Sequence, residues 1–116
     1  MFDFEKLQVY QKAKINHKNL IKFLKHNKEI SKSTRDQLSR ASESVVLNIA
    51  EGAGKFSKKD KANFYLIARG SVFECVSVLQ ILLDQQLIHD TIYQDFYNNF
   101  EEIAKILTKM ILNLGK

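Results

Sequence analysis

No proline interrupts this 116-residue chain, and only four glycines do. Turns and strand ends draw heavily on both residue types, so a many-stranded β fold has little from which to build its connections. What such a chain can form is a few long helices. The apolar residues agree with that. Leu7, Tyr10, Ala13, Leu20, Ile21 and Leu24 recur at helical spacing over roughly Glu5 to His26, with His17 in one core-facing slot. After a polar linker near Asn27 to Ser33, a second segment carries Leu38, Ala41, Val45 and Ile49 and runs to about Glu51. Ser31 or Ser33 is placed to cap it, and Gly52-Ala53-Gly54-Lys55 to end it through a left-handed glycine.

Ser57 and Asp60 then have the spacing of a capping box for a third segment, which repeats Phe64, Ala68, Ser71, Cys75, Val78 and Leu82 every three or four residues. His89, Asp90 and Thr91 mark the last break, with Thr91 and Gln94 as another possible box. Tyr93, Phe96, Phe100, Ile103, Leu107, Met110 and Leu114 give the fourth segment its stripe. Short breaks between long helices make antiparallel neighbours. The expectation is an all-α, up-and-down antiparallel four-helix bundle, with residues 1–116 forming a single domain.

Apolar residues make up 45% of the chain and charged residues 27%, ordinary values for a globular protein and incompatible with wholesale disorder. One cysteine excludes an internal disulfide framework and any multi-cysteine metal site. The opening MFDFEKLQVYQKAK lacks the basic start and apolar run of a signal peptide. Gly70 to Leu83, the longest weakly charged run, includes Glu74 and is too short to span a bilayer. These features point to a soluble cytoplasmic protein with no membrane contact.

Charge is unevenly spread. Residues 1–58 hold 12 basic and six acidic side chains, whereas residues 59–116 hold six and seven. Lys14, Lys18, Lys22 and Lys25 are spaced four, four and three apart, one stripe of a helix. Such a stripe can lie along a phosphate backbone and gain from counterion release, or it can be an ordinary solvated face. Lys55, Lys58, Lys59 and Lys61 form a supplementary basic patch around the second turn.

The middle helices carry more apolar surface than one bundle core needs. Val45 to Ala50 reads VVLNIA and Ser71 to Leu83 reads SVFECVSVLQILL. Opposite its heptad face the third helix presents Leu66, Phe73, Val76 and Leu83. With Val46 on the second helix, these are the expected contacts of a homo-oligomer, since a large apolar patch is unusual on a monomer. The alternative is a core that wraps wider around the third helix.

A polar stripe runs beside the apolar one: Gln37, Arg40, Ser44, Asn48 and Glu51. Glu74 is the only charge between Arg69 and Asp84. Buried alone it would cost several kcal/mol, so Arg40 or Arg69 is its expected partner, with Ser44, Asn48 and Ser71 as neutral donors. The group reads either as a ligand or acid–base site or, preferentially, as a network that fixes helix register.

Catalytic motifs are absent. Gly52 to Lys55 lacks the spacing and preceding strand of a phosphate loop. His17, His26 and His89 lie far apart, with no metal-ligand pair among them. Cys75 falls on the core heptad, where a thiol is inert. Neither catalysis nor a cofactor is expected.

Three stretches carry a family resemblance. Gln37 to Gly52, QLSRASESVVLNIAEG, resembles the signature of the bacterial four-helix-bundle proteins associated with large-subunit rRNA intervening sequences. Phe4 to Tyr10, FEKLQVY, is similar to that family's opening, and Phe64 to Glu74, FYLIARGSVFE, to its third-helix element. Tyr10 stands where the family usually has Trp, Lys55 where Arg is common, and Ser39 in a slot often basic. The resemblance implies a ring-like homopentamer of four-helix bundles, usually without an assigned activity. A related branch serves as accessory subunit of diversity-generating retroelements, binding nucleic acid and a reverse transcriptase through a basic surface. Arg40, Ser44, Asn48, Glu51, Ser71 and Glu74 match motif positions and read as structural.

Two functional expectations follow from the residues and the resemblance together. One is a nucleic-acid-binding accessory module, for RNA or DNA, working through the lysines. The other is a scaffold whose exposed Phe2, Phe4 or Phe56 dock a partner chain.

Overall fold

The computed structural model describes residues 1–115 as a short 3-10 turn, Asp3–Lys6, followed by four helices: α1 (Gln8–Lys25), α2 (Lys32–Ala53), α3 (Lys58–Asp84) and α4 (Asp90–Leu114). Each helix packs on its chain neighbours, and α4 closes back onto α1, so α1 lies diagonal to α3 and α2 diagonal to α4. The result is the expected bundle, 44 Å long and 25 by 21 Å across. Its core is mainly aliphatic: Leu20, Leu38, Ile49, Leu79, Leu82, Ile103 and Leu107 pack with Phe100, all essentially inaccessible, and the rings of Tyr65 and Phe96 are buried in the same cluster. Ile30, in the linker read as polar, is also buried and plugs the α1/α2 turn. Cys75 is buried on the inner face of α3, and burial pushes its thiol up to about 12.

The helix ends depart from the sequence reading in instructive ways. Ser31 and Ser57 cap α2 and α3 by accepting from the backbone N–H of Thr34 (3.2 Å) and Asp60 (3.0 Å). The Thr91 box does not form: α4 starts at Asp90, and His89 makes no side-chain cap. No glycine is left-handed among the described residues. Gly54 ends α2 in right-handed geometry, and the Lys61 ammonium reaches back to the carbonyls of Ala53 (2.8 Å) and Gly52 (3.3 Å). Gly52 has a packing role instead. A Cβ there would stand 2.6 Å from the Tyr65 ring, so α2 and α3 close together only because that hydrogen is small.

The one left-handed residue is Gln86, at φ 61°. The N–H of Leu87 bonds the Leu82 carbonyl (2.9 Å) and that of Gln86 the Leu83 carbonyl (3.0 Å). This is the Schellman arrangement, which more commonly uses glycine. α3 therefore ends ahead of the His89–Thr91 break expected from the sequence.

Candidate nucleic-acid interface

Burial of Val9, Ala13, Asn16, Leu20 and Leu24 fixes the rotation of α1. That rotation turns Lys14, Lys18, Lys22 and Lys25 outward, all four exposed. None forms an ion pair among the described residues, and Lys14 extends over the Tyr10 ring at 5.9 Å. Lys14 to Lys25 spans about 16 Å along the axis, the length of roughly five phosphates of one strand. Lys12 lies off this stripe, drawn to Glu102 of α4.

The second basic patch is more committed to the fold. Lys61 is the C-terminal cap of α2, and Lys55 sits over the Phe64 ring (5.0 Å) within 3.6 Å of Glu51. Lys58 and Lys59 are exposed at the start of α3.

The polar stripe divides. Ser44 and Ser71 bring their hydroxyls to 2.8 Å across α2 and α3, and the Asn48 amide donates to the Ser44 carbonyl (2.8 Å) and hydroxyl (3.0 Å). That triplet, half-buried, staples the two helices. Glu74 is not buried and pairs with neither arginine; its nearest partner is the Gln37 amide at 3.5 Å. Arg40 is exposed. Arg69 turns the other way: its Nε donates to Thr108 of α4 (2.9 Å) and its guanidinium stacks on Phe73 (4.5 Å). The expected buried ion pair fails because Glu74 projects to the outer side of α3, where water already solvates it.

The apolar outer face is real but differently composed. Leu66 and Phe73 are about half exposed, and Val76 and Leu83 are partly covered. Val46 belongs to the chain's own core, so it cannot serve as an outer contact. Leu47, Ile67 and Ile81 are exposed apolar residues that the sequence reading passed over. The signal for Leu47 was available, since it lies two residues from both Val45 and Ile49 and so on the opposite side of α2. Between α3 and α4 runs a groove of about 480 Å³, floored by Val72, Val76, Phe100 and Ala104 with Arg69 at one end. By length and composition α3 could cross a membrane, although in the bundle its inner face is covered.

On the α1 inner face, His17 is only partly buried; Asn16 is the polar residue in the core, 2% exposed. His17 Nδ1 lies 2.9 Å from the Ser42 hydroxyl. Burial holds its pKa below the usual 6.5, against a weaker opposing pull from Glu43. Asn16 accepts from the Asn99 amide of α4 (3.3 Å), and its own NH₂ has no partner among the described residues. No group of three metal-ligating side chains converges among the described residues.

Comparison with known proteins matches the chain to a family model and to solved structures. The family model described as "23S rRNA-intervening sequence protein" matches residues 5–109. A 1.70 Å crystal structure of a protein with unknown function from the S23 ribosomal protein family, from Bacteroides thetaiotaomicron, superposes with a TM-score of 0.81 at 28% identity. The match covers 89% of this chain and 97% of that one. No curated protein matches the chain.

Proposed function

The chain belongs to the 23S rRNA-intervening sequence protein family, and from that premise we propose a non-catalytic nucleic-acid-binding accessory module acting as a homo-oligomer in the cytoplasm. The observation that carries the binding reading is the α1 stripe: four exposed lysines in one line, none in an ion pair among the described residues. Lysines on phosphates supply affinity and carry no base information, so binding through the stripe is strongly salt-dependent.

The homo-oligomer rests on the outer face of α3. Leu66, Ile67, Phe73 and Ile81 are exposed there, and Gly70 sits among them in mid-helix. A glycine in a helix interior costs about 1 kcal/mol relative to alanine. A Cβ at Gly70 would meet nothing within 4 Å, so the single chain has no packing need for it. Close approach of a neighbouring backbone would supply one. Repetition of the chain in an assembly also multiplies its net charge of +5.

The test is equilibrium binding to structured RNA, single-stranded RNA and duplex DNA across a salt series, beside the Lys14/Lys18/Lys22/Lys25→Glu variant. Wild-type affinity should fall steeply with salt, and the variant should lose measurable binding. For a single strand, the four contacts account for up to about 3 of the wild-type slope of log K against log salt. A variant that binds as the wild type does sinks the proposal. The α3/α4 groove, with Arg69 stacked at its end, favours a second reading, a scaffold for a partner chain. Charge reversal on α1 leaves that activity intact.

A further inference from the structure

We propose that the seam between α1 and α4 holds the bases of a single-stranded RNA whose phosphates lie on the lysine stripe. The inference rests on the nucleic-acid reading above and adds the form of RNA and the bases it favours.

Two recesses open along this seam, one of about 130 Å³ beside Asn16 and one of about 400 Å³ beside Asn19, and Asn99 lines both. Asn99 is held from beneath. Its NH₂ donates to the buried Asn16 oxygen, which leaves the Asn99 oxygen without a partner among the described residues. Asp95, in the larger recess, makes no ion pair among those residues, whereas Glu102 in the smaller one is neutralised by Lys12. Ile15, 59% exposed, stands between the smaller recess and the stripe. Successive residues of a helix point about 100° apart, so Lys14 and Lys18 flank the seam residues Ile15 and Asn19 on the adjoining surface.

Charge separates the two parts of the ligand. The Asp95 carboxylate repels phosphate and the lysines attract it, so the backbone belongs on the stripe and the bases turn toward the seam. The free oxygens of Asp95 and Asn99 accept hydrogen bonds. Adenine and cytosine offer exocyclic amino groups, whose two N–H donors can reach both acceptors; uracil offers a single donor, its ring N3–H. A-form duplex hides these groups in a deep, narrow groove, so unpaired strands are the form that fits.

The experiment measures fluorescence anisotropy with 12-nucleotide oligo(A), oligo(C) and oligo(U) and a 12-base-pair RNA duplex, at fixed salt. Oligo(A) and oligo(C) should bind at least about fivefold more tightly than oligo(U) or the duplex. The Asp95→Ala variant changes an exposed side chain and leaves the Asn16–Asn99 hydrogen bond in place; it should bring that ratio toward 1 while oligo(U) binds as tightly as before or more tightly, since the carboxylate no longer repels phosphate. Equal wild-type affinity for the three strands overturns the inference, as does a ratio that survives in the variant. Loss of all binding in the lysine variant, with no base preference in the wild type, overturns this inference and leaves the nucleic-acid reading standing. Wild-type binding that ignores both salt and the lysines removes both. Side-chain amide NMR signals of Asn19 and Asn99 give a second readout: they shift on adding oligo(A) if the seam is occupied, and an unmoved pair overturns the assignment.

Discussion

α1 and α3 stand diagonally across the bundle and solve the problem of a helix in water differently. α1 divides more cleanly, with Val9, Ala13, Leu20 and Leu24 inside and lysines outside, and leaves Ile15 as its exposed large apolar side chain. α3 buries Tyr65, Ala68, Val72, Cys75, Val78, Leu79 and Leu82 and still presents Leu66, Ile67, Phe73 and Ile81 to solvent. A polar outer face can be spent on a charged ligand. An apolar one stays costly in water until another surface covers it.

The comparison can be broken first from the inside. Gly52→Val should push α2 off the Tyr65 ring, which is buried and cannot swing clear. Overpacking of this kind costs about 2–3 kcal/mol. Chemical denaturation should show that loss, and a variant as stable as the wild type would mean α3's inner face packs loosely.

A smaller effect separates the outer face of α3 from its own fold. Gly70→Ala should stabilise the isolated chain by about 1 kcal/mol, because it improves helix propensity where the added methyl meets nothing. If copies meet at this point, the same methyl weakens their association, and light scattering should show a smaller mass alongside a higher denaturation midpoint. A gain in stability with the mass unchanged moves the contact elsewhere.

The smallest effect belongs to α1. His17 is held below its ordinary 6.5 by burial, so the fold favours its neutral form. Its stabilising contribution is complete above pH 6.5 and declines as pH falls through 6.5 toward the lower folded value. The melting temperature should therefore drop over that interval. His17→Gln should flatten the drop, and an unchanged profile would assign the acid sensitivity to other groups.

The fold was legible from the sequence because period and punctuation agreed: four apolar stripes, three short breaks and no proline gave element number, type and order. What escaped depends on three-dimensional proximity. Glu74 looked buried because its chain neighbours are apolar, yet the side of a helix it occupies decides its solvation. Gly52 and Gly54 looked like conformational terminators, whereas Gly52 makes room for a ring thirteen residues later, as sequence position alone cannot show. Gln86 took the left-handed position that glycine usually marks. The lysine stripe was visible at once, being a property of one helix. The Asn16–Asn99 pair was not, because it joins helices at opposite ends of the chain.

Cys75 has a practical side. Its thiol is sealed in the interior and resists ionisation up to about pH 12, so maleimides and disulfide reagents should pass it by in the folded protein. A cysteine introduced at an exposed site such as Lys18 or Asn19 would then be the chain's one reactive thiol. A fluorophore or spin label could be placed beside the stripe or the seam with the native sequence otherwise unaltered.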